Sequence, residues 1–161
     1  PAPEGHVSFA LLLNLASACN TEDRDVLWGF ISRYAPGASA ATAPMLDRLL
    51  EHAINYYRDL VKPNKQYRLP DDAERAALEE LAAALEALPD DAEASDIQNP
   101  VYEVGKSYDF SDLRAWFKAL YEILLGRDQG PRMGSFIALY GKAETVILIR
   151  RVLAGEDISG G

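Results

Sequence analysis

The stretch Asp71-Asp72-Ala73-Glu74-Arg75-Ala76-Ala77-Leu78-Glu79-Glu80-Leu81-Ala82-Ala83-Ala84-Leu85-Glu86-Ala87-Leu88 sets the fold class. Leu78, Leu81, Ala82, Leu85 and Leu88 recur every three or four positions, which places them on one stripe of a helix. Alanine, glutamate and leucine are strong helix formers, and no β-branched residue interrupts them. Asp71 and Glu74 have capping-box spacing, and Pro89-Asp90-Asp91 closes the run. The spacing predicts an amphipathic helix from Asp71 to Leu88.

The same grammar extends in both directions. Downstream, Ser95 is the expected cap of a helix carrying Ile97, Val101, Val104 and Gly105, with a kink or a later start at Pro100. Ser111 is the expected cap of the next, which carries Leu113, Trp116, Phe117, Leu120, Ile123 and Leu124 and stops at Gly126. Pro131 is read as opening a helix through Tyr140, ended by Gly141. A last helix, Lys142 to Ala154, is expected to bury Val146, Ile147, Ile149 and Leu153, to stop at Gly155 and to leave a fraying tail, Ile158 to Gly161.

Upstream, His6 to Cys19 is too apolar for an exposed helix and is expected to be buried. Thr21 is the expected cap of a second helix with Val26, Leu27, Phe30 and Ile31, broken at Ala35-Pro36-Gly37. Ala38 to Ala43 reads as a loop. Pro44 then opens a third helix through Leu46, Leu49, Leu50, Ala53, Ile54, Tyr57 and Val61, closed by Lys62-Pro63-Asn64. The expected fold is all-α, about eight helices forming a cage or bundle. A length of 161 residues suits one domain or two small subdomains, the division falling near Pro89–Ser95 to give 1–90 and 91–161.

Composition narrows the function classes. The longest apolar stretches are broken by Asn14, Arg114, Lys118 and Glu122, short of the ~18–20 residues a membrane span needs. Pro1 to His6 lack the basic start and cleavage site of a secretory signal. Cys19 is the single cysteine, so an internal disulfide is excluded and a cytosolic setting is favoured; within its apolar run it reads as a small buried hydrophobe. His6 and His52 are the two histidines and have no zinc-finger spacing. Walker, GxGxxG, HExxH and GxSxG patterns are absent, and no nucleophile has an evident base partner. These residues describe a binding domain, without a catalytic site, cofactor or metal of its own.

The formal charge of −9 argues against a nucleic-acid partner until its distribution is considered. Between Asp71 and Asp96 the acids face a single base, Arg75, whereas the last sixty-one residues hold eight bases against eight acids. Two regions have the chemistry to bind RNA. In Tyr56 to Arg68, Arg58, Lys62, Lys65 and Arg68 can neutralise phosphates and Tyr67 can stack on a splayed base. The plain alternative is that Tyr57 is core and the cations satisfy a helix end. In Gly126 to Phe136, glycines flank a proline that opens a helix, so amides can point outward beside Arg132. The alternative there is a tight helix hairpin.

At these residues a likeness becomes visible. Trp116-Phe117-Lys118-Ala119-Leu120-Tyr121-Glu122-Ile123-Leu124-Leu125-Gly126, followed by Gly130-Pro131-Arg132-Met133-Gly134-Ser135-Phe136-Ile137-Ala138-Leu139-Tyr140-Gly141, resembles the C-terminal region of class I lysyl-tRNA synthetases. Val7-Ser8-Phe9-Ala10-Leu11-Leu12-Leu13-Asn14-Leu15, Trp28-Gly29-Phe30-Ile31, Asn55-Tyr56-Tyr57-Arg58-Asp59 and Val101-Tyr102-Glu103-Val104-Gly105-Lys106 add to it, so the likeness covers nearly the whole chain.

The arrangement is also similar to the end of glutamyl-tRNA synthetases, whose helical cage grips the anticodon loop. The resemblance implies anticodon contacts at Gly130, Pro131, Arg132, Met133, Lys118 and Tyr121, with Tyr121 standing where the glutamyl branch tends to have arginine. It implies tRNA(Lys) as partner through its anticodon stem-loop. It also implies an upstream catalytic domain of the same chain that uses ATP and magnesium, since the HIGH and KMSKS motifs are absent here. The competing expectations are a protein-docking module that uses the acidic Asp71–Asp96 arm, and a glutamyl-type enzyme.

Overall fold

The computed structural model describes residues 7–108 and 110–159. Among these, eight α-helices and no strands are present: α1 (Phe9–Cys19), α2 (Arg24–Tyr34), α3 (Pro44–Tyr56), α4 (Asp72–Ala87), α5 (Ala94–Ser107), α6 (Leu113–Leu120), α7 (Met133–Tyr140) and α8 (Lys142–Leu153). His6, Gly160 and Gly161 lie outside the described residues, while Ile158, expected to begin a fraying tail, is buried and its carbonyl accepts from Asn20 Nδ2 at 3.0 Å.

α1 is the centre of the fold. Every residue from Leu11 to Ala18 is buried, and the helix packs against α3 on one side and α7 on the other. Burial of each of its leucines contributes on the order of 1.5–3 kcal/mol. Ser8 caps it, accepting a hydrogen bond from the Leu11 amide at 3.2 Å, and Asn20 ends it in the left-handed conformation, φ 50°. The outer layers are pairs: α5 lies along α7 and α4 along α8. Arg75 near the start of α4 donates to the Leu153 carbonyl at the end of α8, 2.7 Å, and Lys142 at the start of α8 donates to the Leu88 carbonyl, also 2.7 Å. α4 and α8 therefore run antiparallel. Apolar residues from both sides of residue 90 join in one connected core.

Most caps fall where the periodicity puts them. Asp71 and Glu74 form the reciprocal box, and Gly126 adopts φ 71°. Three caps shift by a residue or two. Asp23 rather than Thr21 accepts from the α2 start, with Thr21 Oγ1 bonding the Asp23 amide instead. Glu93 rather than Ser95 precedes α5, its amide held by Asp96 at 3.0 Å. Asp112 rather than Ser111 caps α6, accepting from the Ala115 amide at 2.8 Å. In each case a carboxylate beats a neighbouring hydroxyl at the positive end of the helix. α7 begins at Met133, two residues after Pro131, and α5 continues through Pro100 as one helix.

Two larger departures concern side-chain facing. α3 and α6 do not end as regular helices but widen into π turns, Tyr57–Val61 and Tyr121–Leu125, the first followed by a tight turn at Lys62–Asn64. The extra residue per turn lets Ile123, Leu124 and Leu125 all reach the core, which a regular helical stripe does not allow. Val26 and Ile147, both expected in the core, are 43% and 53% exposed, and Leu148 takes the inward place on α8. No described helix is long and apolar enough to cross a membrane.

Candidate functional site

The connection from Gly126 to Arg132 is held at Gly126, Arg127, Gly130 and Pro131. Gly126 is required twice over: its φ is positive, and an ideal Cβ would sit 2.6 Å from the Tyr67 ring. Arg127 turns inward, its guanidinium donating to Oδ1 of Asn14, the buried amide of α1, at 3.2 Å. At Gly130 a Cβ would stand 2.7 Å from the Tyr121 ring and 3.1 Å from the Asn14 amide nitrogen. The Tyr121 hydroxyl donates to the Pro131 carbonyl. The Gly134 amide then donates to Gln98 Oε1 at 2.6 Å, and its missing side chain lets α7 meet the Ala94 carbonyl of α5. The loop is thus fixed from below by α1, the π turn and α5.

On its outer side this loop borders a cleft of about 700 Å³, within the ~300–1,000 Å³ usual for binding pockets. Pro131, Arg132 and Ser135 form one wall, Arg33 and Tyr34 from the end of α2 a second, and Glu93–Ser95 at the start of α5 a third. Arg33 is exposed yet oriented, donating to the Tyr140 carbonyl at 3.2 Å with its guanidinium 4.9 Å above the Phe30 ring. Two planar guanidiniums and the positive ends of α5 and α7 therefore meet at one opening. Glu93 and Asp91 on the far rim oppose them. Such a surface suits an unpaired nucleic-acid loop, with phosphates near the arginines and bases against Leu11, Pro131 and Ala138.

The residues expected to make contacts part company here. Arg132 and Pro131 line the cleft, and Gly130 is exposed beside it. Tyr121 and Met133 do not face solvent: they are 7% and 2% exposed, so direct contact gives way to support of the loop from beneath. Burial pushes the Tyr121 phenol up to about 12. Lys118 projects from the exposed face of α6, its Nζ 4.0 Å from Glu122, and does not line the cleft.

The Tyr56–Arg68 cations are tied down individually. Arg58 pairs with Asp59 and Lys62 with Glu22, each at 3.0 Å. Arg68 grips both Glu74 oxygens at 2.8 Å and reaches Glu122 at 2.8 Å. Lys65 points inward, donating to the Ser17 carbonyl at 3.1 Å, Asn20 Oδ1 at 2.6 Å and the Tyr57 hydroxyl at 3.3 Å. Burial, then the neighbouring charges of Lys62 and Arg127, lower its ammonium to about 8. Tyr67 is covered by Gly126 rather than offered for stacking. Buried Tyr57 and the helix-end cations thus serve the fold, except that Arg58 and Lys62 stay at the surface.

No sequence motif marks Arg33, Tyr34, Glu93 or Ala94 as cleft residues, and Ser95 reads only as a helix cap. Their nearest signal was position, since Arg33-Tyr34 directly precedes the Ala35-Pro36-Gly37 break. Among the described residues no group of histidine, cysteine, aspartate and glutamate side chains is placed to hold a metal. Cys19 is half-buried rather than fully buried, and burial raises its thiol to about 12, which disfavours the thiolate at neutral pH.

Comparison with known proteins finds sequence relatives along nearly the whole chain. The chain is 48% identical over 147 residues to a lysine–tRNA ligase of Rickettsia bellii, covering 91% of the chain and 28% of that protein. It is 49% identical over 159 residues to the lysine–tRNA ligase of Roseobacter denitrificans, covering 99% of the chain and 30% of the relative. The ligase of Rickettsia felis is 46% identical over 143 residues, 89% of the chain and 27% of its own length. No family model matches the chain, and no solved structure matches it. The chain spans under a third of the relatives it matches, and over nearly all of its own length it is similar to lysine–tRNA ligases.

Proposed function

We propose that this chain is the anticodon-recognition region of a cytoplasmic class I lysine–tRNA ligase. Its part is to hold the uridine-rich anticodon loop of tRNA(Lys), while a catalytic domain elsewhere in the protein activates lysine with ATP and magnesium and transfers it to the tRNA end. The observation that carries the reading is the cleft at Arg33 and Arg132, built on the same Gly130–Gly141 run that carries the family likeness. Arg132 and Arg33 neutralise phosphate or stack on a base, and the Gly130–Pro131 backbone sets the wall against which the loop lies. Tyr121 and Met133 position that wall. Stacking at ~1–3 kcal/mol per base with a few charge-assisted bonds is sufficient for discrimination.

The acidic arm is less suited to a separate docking role, because Glu74, Glu80 and Glu86 already bond Arg68, Tyr108 and Arg150 of the same chain. The test is titration of a labelled lysine anticodon stem-loop at two salt concentrations, beside a stem-loop with the anticodon uridines replaced and one carrying a glutamate anticodon. The lysine loop should bind best, and Arg132→Ala should weaken it about tenfold, some 1.4 kcal/mol. Equal affinity for all loops would reject base recognition.

A further inference from the structure

Besides the cleft, the Gly126–Arg132 connection borders a second groove on its other flank, of about 330 Å³. Both π turns among the described residues border it: Leu60 and Val61, with Tyr56 at the end of α3, from one side, Glu122 and Gly126 from the other, and Asn64, Lys65, Gln66 and Arg127 between. Wide turns of this kind are frequent at functional sites because they redirect side chains that a regular helix would point elsewhere. Here they leave Tyr56 44% exposed and Leu60 54% exposed, beside a half-buried guanidinium.

The groove is pre-organised. The Tyr56 ring is braced edge-on by Phe9, centroids 5.7 Å apart. Arg127 is braced by Asn14, and Asn64 by the Leu60 carbonyl at 2.7 Å. The carboxylate of Glu122 is already met by Arg68 at 2.8 Å and Lys118 at 4.0 Å, and Asp128 stands exposed at the rim. Lys65 also lines the groove, but its ammonium is turned inward to the Ser17 carbonyl, Asn20 Oδ1 and the Tyr57 hydroxyl. An aromatic face, a planar cation, side-chain amides and two acids then suit an uncharged aromatic heterocycle better than a phosphate.

We propose that this groove is a second RNA subsite, which takes one unpaired nucleobase against Tyr56 with Arg127 beside it. The Gly126–Arg132 loop then acts as a ridge between two base-binding surfaces, so that a single-stranded loop of RNA is gripped on both sides of it. This inference rests on the tRNA reading above.

Its test is a cycle on the full 161-residue chain with the lysine anticodon stem-loop and a set of loops each lacking one base. Tyr56→Leu should weaken the intact loop about tenfold, by the same factor at low and moderate salt, since stacking releases few counterions. One abasic loop should bind Tyr56→Leu and the parent alike, which locates the base. Arg127→Gln, which keeps an amide for Asn14, should weaken the same loop, with thermal unfolding checking that both variants remain folded. If the parent binds and Tyr56→Leu binds every loop equally well, the subsite is wrong while the tRNA reading stands. If the parent binds no loop, both fall.

Discussion

Lys62–Arg68 and Gly126–Arg132 are segments of equal length, both punctuated by proline and both carrying cations, and they touch. The Gln66 amide donates to the Gly126 carbonyl at 2.9 Å, and the Tyr67 ring fills the space beside Gly126. Yet Lys65 and Arg68 of the first segment are consumed by internal partners, whereas Arg132 of the second faces a cleft. The first segment is the floor on which the second is laid. A cation's chemistry is set less by its neighbours in sequence than by whether the fold brings it an acceptor. A paired guanidinium has already exchanged its water for a carboxylate and has little left for a phosphate.

The comparison is broken most severely by moving α7, which carries the cleft wall. A Cβ at Gly134 would lie 2.4 Å from the Ala94 carbonyl, a backbone atom that cannot turn aside. Gly134→Ala should cost about 3 kcal/mol and lower Tm by roughly 10 °C, read by calorimetry, with RNA affinity falling alongside. An unchanged Tm would mean that α5 and α7 are not so closely apposed.

A smaller effect separates the segments. Arg68→Met removes the bridges to Glu74 and Glu122. Because the arginine side chain is 40% exposed, the cost should be only about 1–2 kcal/mol in urea unfolding, below that of a fully buried pair. RNA affinity and its salt slope should stay at parental values, the reverse of Arg132→Ala, which should leave stability alone. A lowered salt slope in Arg68→Met would give that arginine back to the binding surface.

The smallest effect is a pH dependence. Lys65 sits at about 8 against an ordinary 10.5, so between those values the unfolded chain binds more protons and stability rises with pH. Tyr121 and Tyr140, raised to about 12 from 10, act oppositely, and stability drains away above pH 10. Cys19, raised to about 12 from 9, offsets Lys65 above pH 9, so stability should climb between pH 8 and about 9, level off to about 10 and then fall. Lys65→Met should abolish the climb and keep the fall, measured by urea midpoints across that range. A climb that survives the substitution would assign it elsewhere.

What the residues determined unaided is local. The stripe of α4, the Asp71–Glu74 box, the stop at Gly126 and the kinship carried by the Trp116–Gly141 run are all written within a few positions of one another. Hydrogen bonds and side-chain contacts in a helix span three or four residues, so their pattern survives in the linear order. The errors were local competitions as well: Asp23, Glu93 and Asp112 won the caps from the hydroxyls beside them. The site was decided at another range. Arg127 meets Asn14 across 113 positions, Arg33 meets Tyr140 across 107, and Lys65 meets Asn20 across 45. No periodicity encodes such pairings. Which arginine is a tie and which an open hand was therefore left to packing, because burial and partner choice belong to the folded chain as a whole.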